Sequence, residues 1–213
     1  MKQLEILVNI FTIDEEEVKV LLIKKQTDPH RGYWMIPKTN ASNEQTVDET
    51  AAEVLEKLTV KDTKLYQYQT ISDLERVPGL NILSLSYVGF IDVVRVKISD
   101  DESPFEKEWF SVNKLPKMAY NHQHIVLNNL EFLKEKLKKA SVLNLFFPSD
   151  FSLPELQRVY ERLYNIEIDR RNFRKKFINH DLIEETSLKN EDTRGRPSKL
   201  YMFKENYEDI YLF

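Results

Sequence analysis

Cysteine is absent from the 213-residue chain. Its absence excludes disulfides, thiolate catalysis and cysteine-based zinc sites. Glycine is almost as scarce: the four are Gly32, Gly79, Gly89 and Gly195, too few and too scattered for a Gly-rich phosphate loop. No run of about 18 apolar residues is present to cross a membrane. The N-terminus, MKQLEILVNIF, meets acidic residues too soon for a signal peptide, so the expectation is a cytoplasmic protein with no membrane contact. Charge of one sign is lacking too. The chain carries 31 basic and 35 acidic residues; residues 1–140 hold 19 and 22 of them, and residues 141–213 hold 12 and 13. Any contact with nucleic acid must therefore rest on a local patch and not on net charge. What remains is an ordinary globular composition, 41% hydrophobic and 31% charged, at a length suited to one large domain or two small ones.

Periodicity divides the chain. Residues 4–13 (LEILVNIFTI) and 18–23 (VKVLLI) are rich in branched aliphatics and flank the acidic turn Asp14-Glu15-Glu16-Glu17, which predicts a hairpin. Residues 83–91 (LSLSYVGFI) predict a further strand with Leu83, Leu85 and Tyr87 on one face. Between them, 45–58 reads as a helix whose stripe is Val47, Ala51, Val54 and Leu58, with Glu49, Glu53 and Glu56 pointing away. A second helix over about 120–138 has Val126, Leu130, Leu133 and Leu137 as its apolar side and ends in KEKLKK, where the helix dipole favours cations. Charge density falls near 139–141, which predicts a boundary between domains at 1–140 and 141–213.

The second segment has a different rhythm. Ser152 and Glu155 fit a capping box that opens a helix through LPELQRVYERLY. Residues 165–168 make a turn, and Asp169 caps a second helix, RRNFRKKFINH. Short strands at 182–186 and 199–203 enclose the basic tip Arg194-Gly195-Arg196-Pro197. Helix, turn, helix and a basic-tipped hairpin predict a winged helix-turn-helix. On the second helix Phe173 and Phe177, with Ile178 at their edge, must pack inward. Arg171, Asn172, Lys175, Lys176 and Asn179 take the outward arc without an acid among them. Such groups neutralise phosphates or pair with guanine and adenine edges. Arg170 and Arg174 flank the aromatic stripe and either reach phosphate or pair with Glu155 or Glu161. Arg194 and Arg196 suit a minor groove or flanking phosphates. The bland alternative is a solvated basic face.

The first segment also carries a resemblance. HRGYWMIP, then Glu44, then AEVLEKLTV is similar to the Nudix hydrolase signature, with the box spanning 38–60. Its spacing holds without a gap, but Lys38 stands at the first glycine, Ala52 at the arginine, Lys57 at a glutamate and Thr59 at the last glycine. In a Nudix enzyme the carboxylates of this helix hold Mg²⁺. A lysine beside Glu53 and Glu56 supplies a positive charge of its own, so neither metal nor cofactor nor catalytic residue is expected. Lys38 and Thr59 are expected to stiffen the flanking loops, because neither takes positive φ readily. The blocks WFSVNKLPKMAYNHQHIV, FSLPELQRVYERLYNIEIDRRNFRKKFINHDLIEET and GRPSKLYMF resemble the Nudix-related transcriptional regulators of NAD metabolism over nearly the whole chain. That resemblance implies an α+β fold in which a Nudix-like α/β/α sandwich with a mixed sheet precedes the winged helix. It further implies a homodimer on a palindromic double-stranded operator, and a small effector, ADP-ribose or a sugar-like metabolite, sensed in the first domain. Related sugar-responsive regulators share the architecture. Trp34, Glu53, Lys57 and Arg76 are the expected lining of the effector pocket, Trp34 to stack on a ring and the cations to meet phosphate; the alternatives are a core tryptophan and a loop arginine.

Three functions follow: a ligand-responsive regulator, a hydrolase of ADP-ribose or a similar nucleoside diphosphate, and a constitutive DNA-binding or scaffold protein whose first domain is purely structural. The four histidines do not favour the enzyme. His122 and His124 are two apart and share no helix face, and His30 and His180 are isolated.

Overall fold

Branched aliphatics on both faces of the first strand decide the architecture around it. A computed structural model describes residues 3–14, 17–60, 63–72, 82–91, 103–140, 143, 150–190, 198–204 and 210–212, and the chain divides into two compact units, 1–133 and 134–213. In β1 (Gln3–Asp14), Ile6, Val8 and Ile10 face one way and Leu7, Asn9 and Phe11 the other, and all six are fully buried. A strand of this kind needs cover on both sides. It runs parallel to β6 (Ile82–Phe90) and antiparallel to β2 (Glu17–Lys24) and β4 (Lys38–Asn40). β3 (Trp34–Met35) and β7 (Lys107–Ser111) add to β2, and β5 (Tyr66–Ser72) adds to β6. These seven strands make one mixed sheet.

Helix α1 (Val47–Lys57) opens at Thr46, whose side chain accepts from the Glu49 amide at 3.2 Å while the Glu49 carboxylate accepts from the Thr46 amide at 2.8 Å. Two orphan donors of the first turn are thereby satisfied. Ala51, Val54, Leu55 and Leu58 then pack on Ile6, Val8, Ile10, Leu21 and Ile23. On the other face lies α2 (His122–Leu137), which buries Ile125, Val126, Leu130 and Leu133. Asn129 donates to the Ser86 hydroxyl at 2.7 Å and ties the helix to β6. Helix, sheet, helix is the α/β/α sandwich expected for the first domain.

In the second unit β8 (Phe151–Ser152), β9 (Ile183–Asn190) and β10 (Ser198–Phe203) form an antiparallel sheet in the order β8-β10-β9. Between β8 and β9 come α3 (Leu153–Tyr164) and α4 (Arg170–Asn179). The capping box of Ser152 and Glu155 is formed, at 3.3 and 2.7 Å. Asn165 ends α3 at φ 52° and ψ 52°, a left-handed conformation that asparagine tolerates. The turn is held by one carboxylate. Glu161 Oε1 accepts from the Ile168 amide at 3.0 Å and from Gln157 Nε2 at 2.9 Å, and Gln157 also donates to the Ile168 carbonyl at 2.9 Å. Phe173 and Phe177 anchor α4: their ring centroids are 4.8 Å apart, with Tyr160 5.8 Å from Phe173 and Phe203 6.3 Å from Phe177.

Candidate nucleic-acid interface and effector cavity

With its two phenylalanines spent on the core, α4 has a polar remainder. Arg170, Arg171, Asn172, Arg174, Lys175 and Asn179 are exposed. Among the described residues Arg170, Arg171, Arg174 and Lys175 form no ion pair. The acids once open to Arg170 and Arg174 are occupied locally, Glu155 by its cap and Glu161 by the turn. No acid stands in the first turn of α4, where two arginines oppose the helix dipole at a cost of about 0.3–1 kcal/mol each. The Asp169 carboxylate at the N-cap, which accepts from the Asn172 amide at 2.8 Å, offsets part of this cost.

Two expectations for this helix are corrected. Lys176 does not lie on the free arc: it is half-buried, and its ammonium donates to the Leu212 carbonyl. Leu212 is itself buried and its amide donates to the Lys138 carbonyl at 2.7 Å, which explains why a stretch of chain sits beside α4. Ile178 does not pack inward; it is 44% exposed. Arg194 and Arg196 lie outside the described residues.

In the first unit the three described residues of the expected pocket divide between two places, Glu53 and Lys57 on α1 and Trp34 on β3. Glu53 and Lys57, one turn apart on α1, form an ion pair with each other. Trp34 pairs with Lys24, the neighbour of Ile23. Ile23 faces α1, so Trp34 lies on the opposite sheet face, where its ring meets Phe110 edge-on at 4.6 Å. The tryptophan packed on the α1 side is Trp109, the partner of Leu21. Arg76 lies outside the described residues.

The substituted box positions have definite roles. Lys38 donates to the Glu5 carboxylate at 2.6 Å, and Glu5, 1% exposed, also accepts from Ser84 at 2.7 Å. Thr59 takes φ 58°, so the expectation of a stiffened loop is corrected: the threonine adopts the left-handed conformation of a box glycine. This conformation is strained for a β-branched residue. Lys107 compensates by donating to the Leu58 carbonyl and the Thr59 hydroxyl, each at 2.8 Å, and it places a cation at the C-terminus of α1.

Lys38 opens onto a cavity of about 390 Å³ lined by Gln3, Glu5, Met35, Lys38, Asn40, Ile82 and Tyr120, among others. Lys38 and Lys25 stand 5.5 and 6.0 Å from the centroid of the Tyr120 ring. Tyr120 has φ 53°, a rare conformation for a tyrosine. Burial, and next the charge of Lys38, push the Lys25 pKa down, against the pull of Asp28; its ammonium is held by the Thr27 carbonyl at 2.7 Å. A wider groove of about 660 Å³ lies between α1 and β5, lined in part by Asp48, Tyr66, Tyr68 and Tyr87, with no cation in its wall among the described residues. There Tyr87 donates to Asp48 at 2.6 Å, and burial followed by this bond pushes its pKa up. Sequence reasoning missed Glu5, Lys25 and Tyr120; the signal for Glu5 and Lys25 is a charged residue inside or beside an apolar run, and Tyr120 carries none. His122 is buried and accepts from the Ile36 amide at 3.0 Å, a structural role.

Comparison with known proteins agrees with this geometry. Residues 144–203 match the family described as the NrtR DNA-binding winged helix domain. An ADPR-responsive transcriptional repressor, NtrR, of Acinetobacter baylyi is 25% identical over 91% of this chain and 79% of its own. An ADP-ribose pyrophosphatase of Methanocaldococcus jannaschii is 27% identical over 54% of this chain and 67% of its own. NrtR of Shewanella oneidensis, solved with a 27mer DNA, superposes with a TM-score of 0.81 at 24% identity, over 97% of this chain and 99% of that one. The chain therefore has the fold of the Shewanella oneidensis NrtR chain, with an NrtR-type winged helix over residues 144–203.

Proposed function

We propose that this chain is a ligand-responsive, sequence-specific DNA-binding regulator of transcription, with a sensing segment at 1–140 and a DNA-binding segment at 141–213, acting in the cytoplasm on genes of NAD or sugar metabolism. The observation that carries the reading is the free cationic face of α4, with arginines set against the helix dipole. Arg171 and Asn172 meet base edges; Arg170 and Lys175 meet phosphates; Arg194 and Arg196 meet the flanking backbone or the minor groove. One winged helix makes few contacts, so tight binding calls for a homodimer on a palindromic site. Selection of random duplexes with the purified protein tests this. It should return a palindrome, and Arg171→Ala should relax the preference at one position of each half-site, at a cost of about 1–3 kcal/mol. Recovery of no preferred sequence would contradict it.

The effector is ADP-ribose or a related nucleotide or sugar metabolite. Support comes from the repressor relative, whose name states that response, and from the cavity at Lys38. There Lys38 suits a phosphate and Tyr120 suits a ring, with the Lys25 ammonium 6.0 Å from the centroid of that ring. Glu53 and Lys57 on α1 and Trp34 on the far sheet face are second candidates for this role, to be separated from the cavity by substitution.

Hydrolysis is not part of the proposed function, although a pyrophosphatase is among the relatives. The box residues do not suit Mg²⁺: Lys57 occupies the carboxylate of Glu53, and Lys38 brings an ammonium to the site of the first box glycine. Incubation of concentrated protein with ADP-ribose and Mg²⁺ should release no AMP. Turnover near 1 s⁻¹, ordinary for an enzyme, would restore the hydrolase reading.

A further inference from the structure

Ile178 stands out on α4 because the helix has already satisfied its core without it. Phe173 and Phe177 are 2% and 0% exposed, whereas Ile178 is 44% exposed. At 3.6 residues per turn Ile178 projects within about 20° of Arg171 and about 40° of Arg174. It therefore lies on the free cationic face, in line with Arg171 and two turns beyond it. Two turns of helix advance roughly 10 Å, about three base pairs along a duplex at 3.4 Å each. The neighbours of Ile178 on this face are long cations with no acid partner among the described residues, so the surface is built to be covered by an anion. An exposed branched aliphatic in such a setting has one complementary feature on B-DNA: the C5-methyl group of thymine, which projects into the major groove and offers no hydrogen bond.

We infer that Ile178 is a specificity-determining residue that reads a thymine methyl group about three base pairs from the base contacted by Arg171. The inference rests on the DNA-binding reading above. The phosphate contacts of Arg170 and Lys175 hold α4 in register, and Ile178 adds discrimination by apolar contact. Contact with the methyl removes apolar surface of both partners from water; this gain disappears when the base is uracil, which pairs identically but lacks the methyl.

The test uses the full chain and the operator that it selects. Each thymine of one half-site is replaced in turn by deoxyuridine, and affinity is measured by fluorescence anisotropy for the wild type, Ile178→Ala and Ile178→Val. The wild type should lose about fourfold at one thymine, the worth of one buried methyl group, and be indifferent at positions read by hydrogen bonds. Ile178→Ala should bind the thymine and deoxyuridine operators equally, and Ile178→Val should keep the preference. Ile178 is exposed, so both variants should fold, which their thermal melts check. Wild-type indifference to every replacement, or an undiminished thymine preference in Ile178→Ala, would overturn the inference and leave the regulator reading intact. Failure to select any operator would overturn both.

Discussion

At the scale of single residues, the lysines of the first unit set the most definite expectations. Lys38 neutralises Glu5, which is 1% exposed. Lys38→Met strands a buried carboxylate and should destabilise the protein by about 3 kcal/mol in urea denaturation, whereas Lys38→Met with Glu5→Gln should recover most of the loss. An equal loss in both variants would show that the pair does not account for the effect. Lys25 has the opposite character. Burial and Lys38 hold its pKa below the ordinary lysine value, so the unfolded chain binds the proton more tightly than the folded one. The cost of burying its charge is therefore full below the folded pKa and is relieved as pH climbs towards the unfolded value. The wild type should gain stability relative to Lys25→Met as pH rises towards the ordinary lysine pKa; a constant difference would place the proton elsewhere. These roles were not legible in the sequence. Glu5 and Lys38 are 33 positions apart, and nothing local announces their pairing. Trp34 was legible as an aromatic but not its sheet face, because the register of a two-residue strand is fixed by its neighbours.

At the scale of elements, legibility followed burial pattern. β1, β2 and β6 read clearly because the sheet buries them on both faces and so demands continuous aliphatics. α1 read clearly from its apolar stripe and α3 from its capping box. β5, with sequence YQYQTIS, and β7, with KEWFS, did not, since each is mostly half-exposed and keeps little apolar pattern. α4 was read correctly as the basic helix, yet the roles of Lys176 and Ile178 depended on Leu212 and on the width of the aromatic stripe. That difference is measurable. Lys175→Ala should weaken binding to all duplexes alike and reduce the salt slope by about one unit, as a lost phosphate contact does. Lys176→Ala should leave the slope unchanged and lower stability, because its ammonium serves the Leu212 carbonyl. A reduced slope in Lys176→Ala would return that lysine to the DNA surface.

At the scale of the whole molecule, the chain pairs a Nudix-type fold, whose box carboxylate is matched by a lysine, with a winged helix on which Arg170, Arg171, Arg174 and Lys175 form no ion pair among the described residues. Free cations on one unit and a cavity with a lysine rim on the other call for an anionic macromolecule and an anionic small molecule. The central claim is that the second controls the first. It is tested most directly by titrating ADP-ribose into a preformed complex of the full chain with its selected operator and following fluorescence anisotropy. The account predicts a saturable change in DNA affinity that ADP-ribose produces and AMP at the same concentration does not, and that Tyr120→Ala abolishes while leaving DNA binding intact. An operator affinity unmoved by ADP-ribose at millimolar concentration would contradict it.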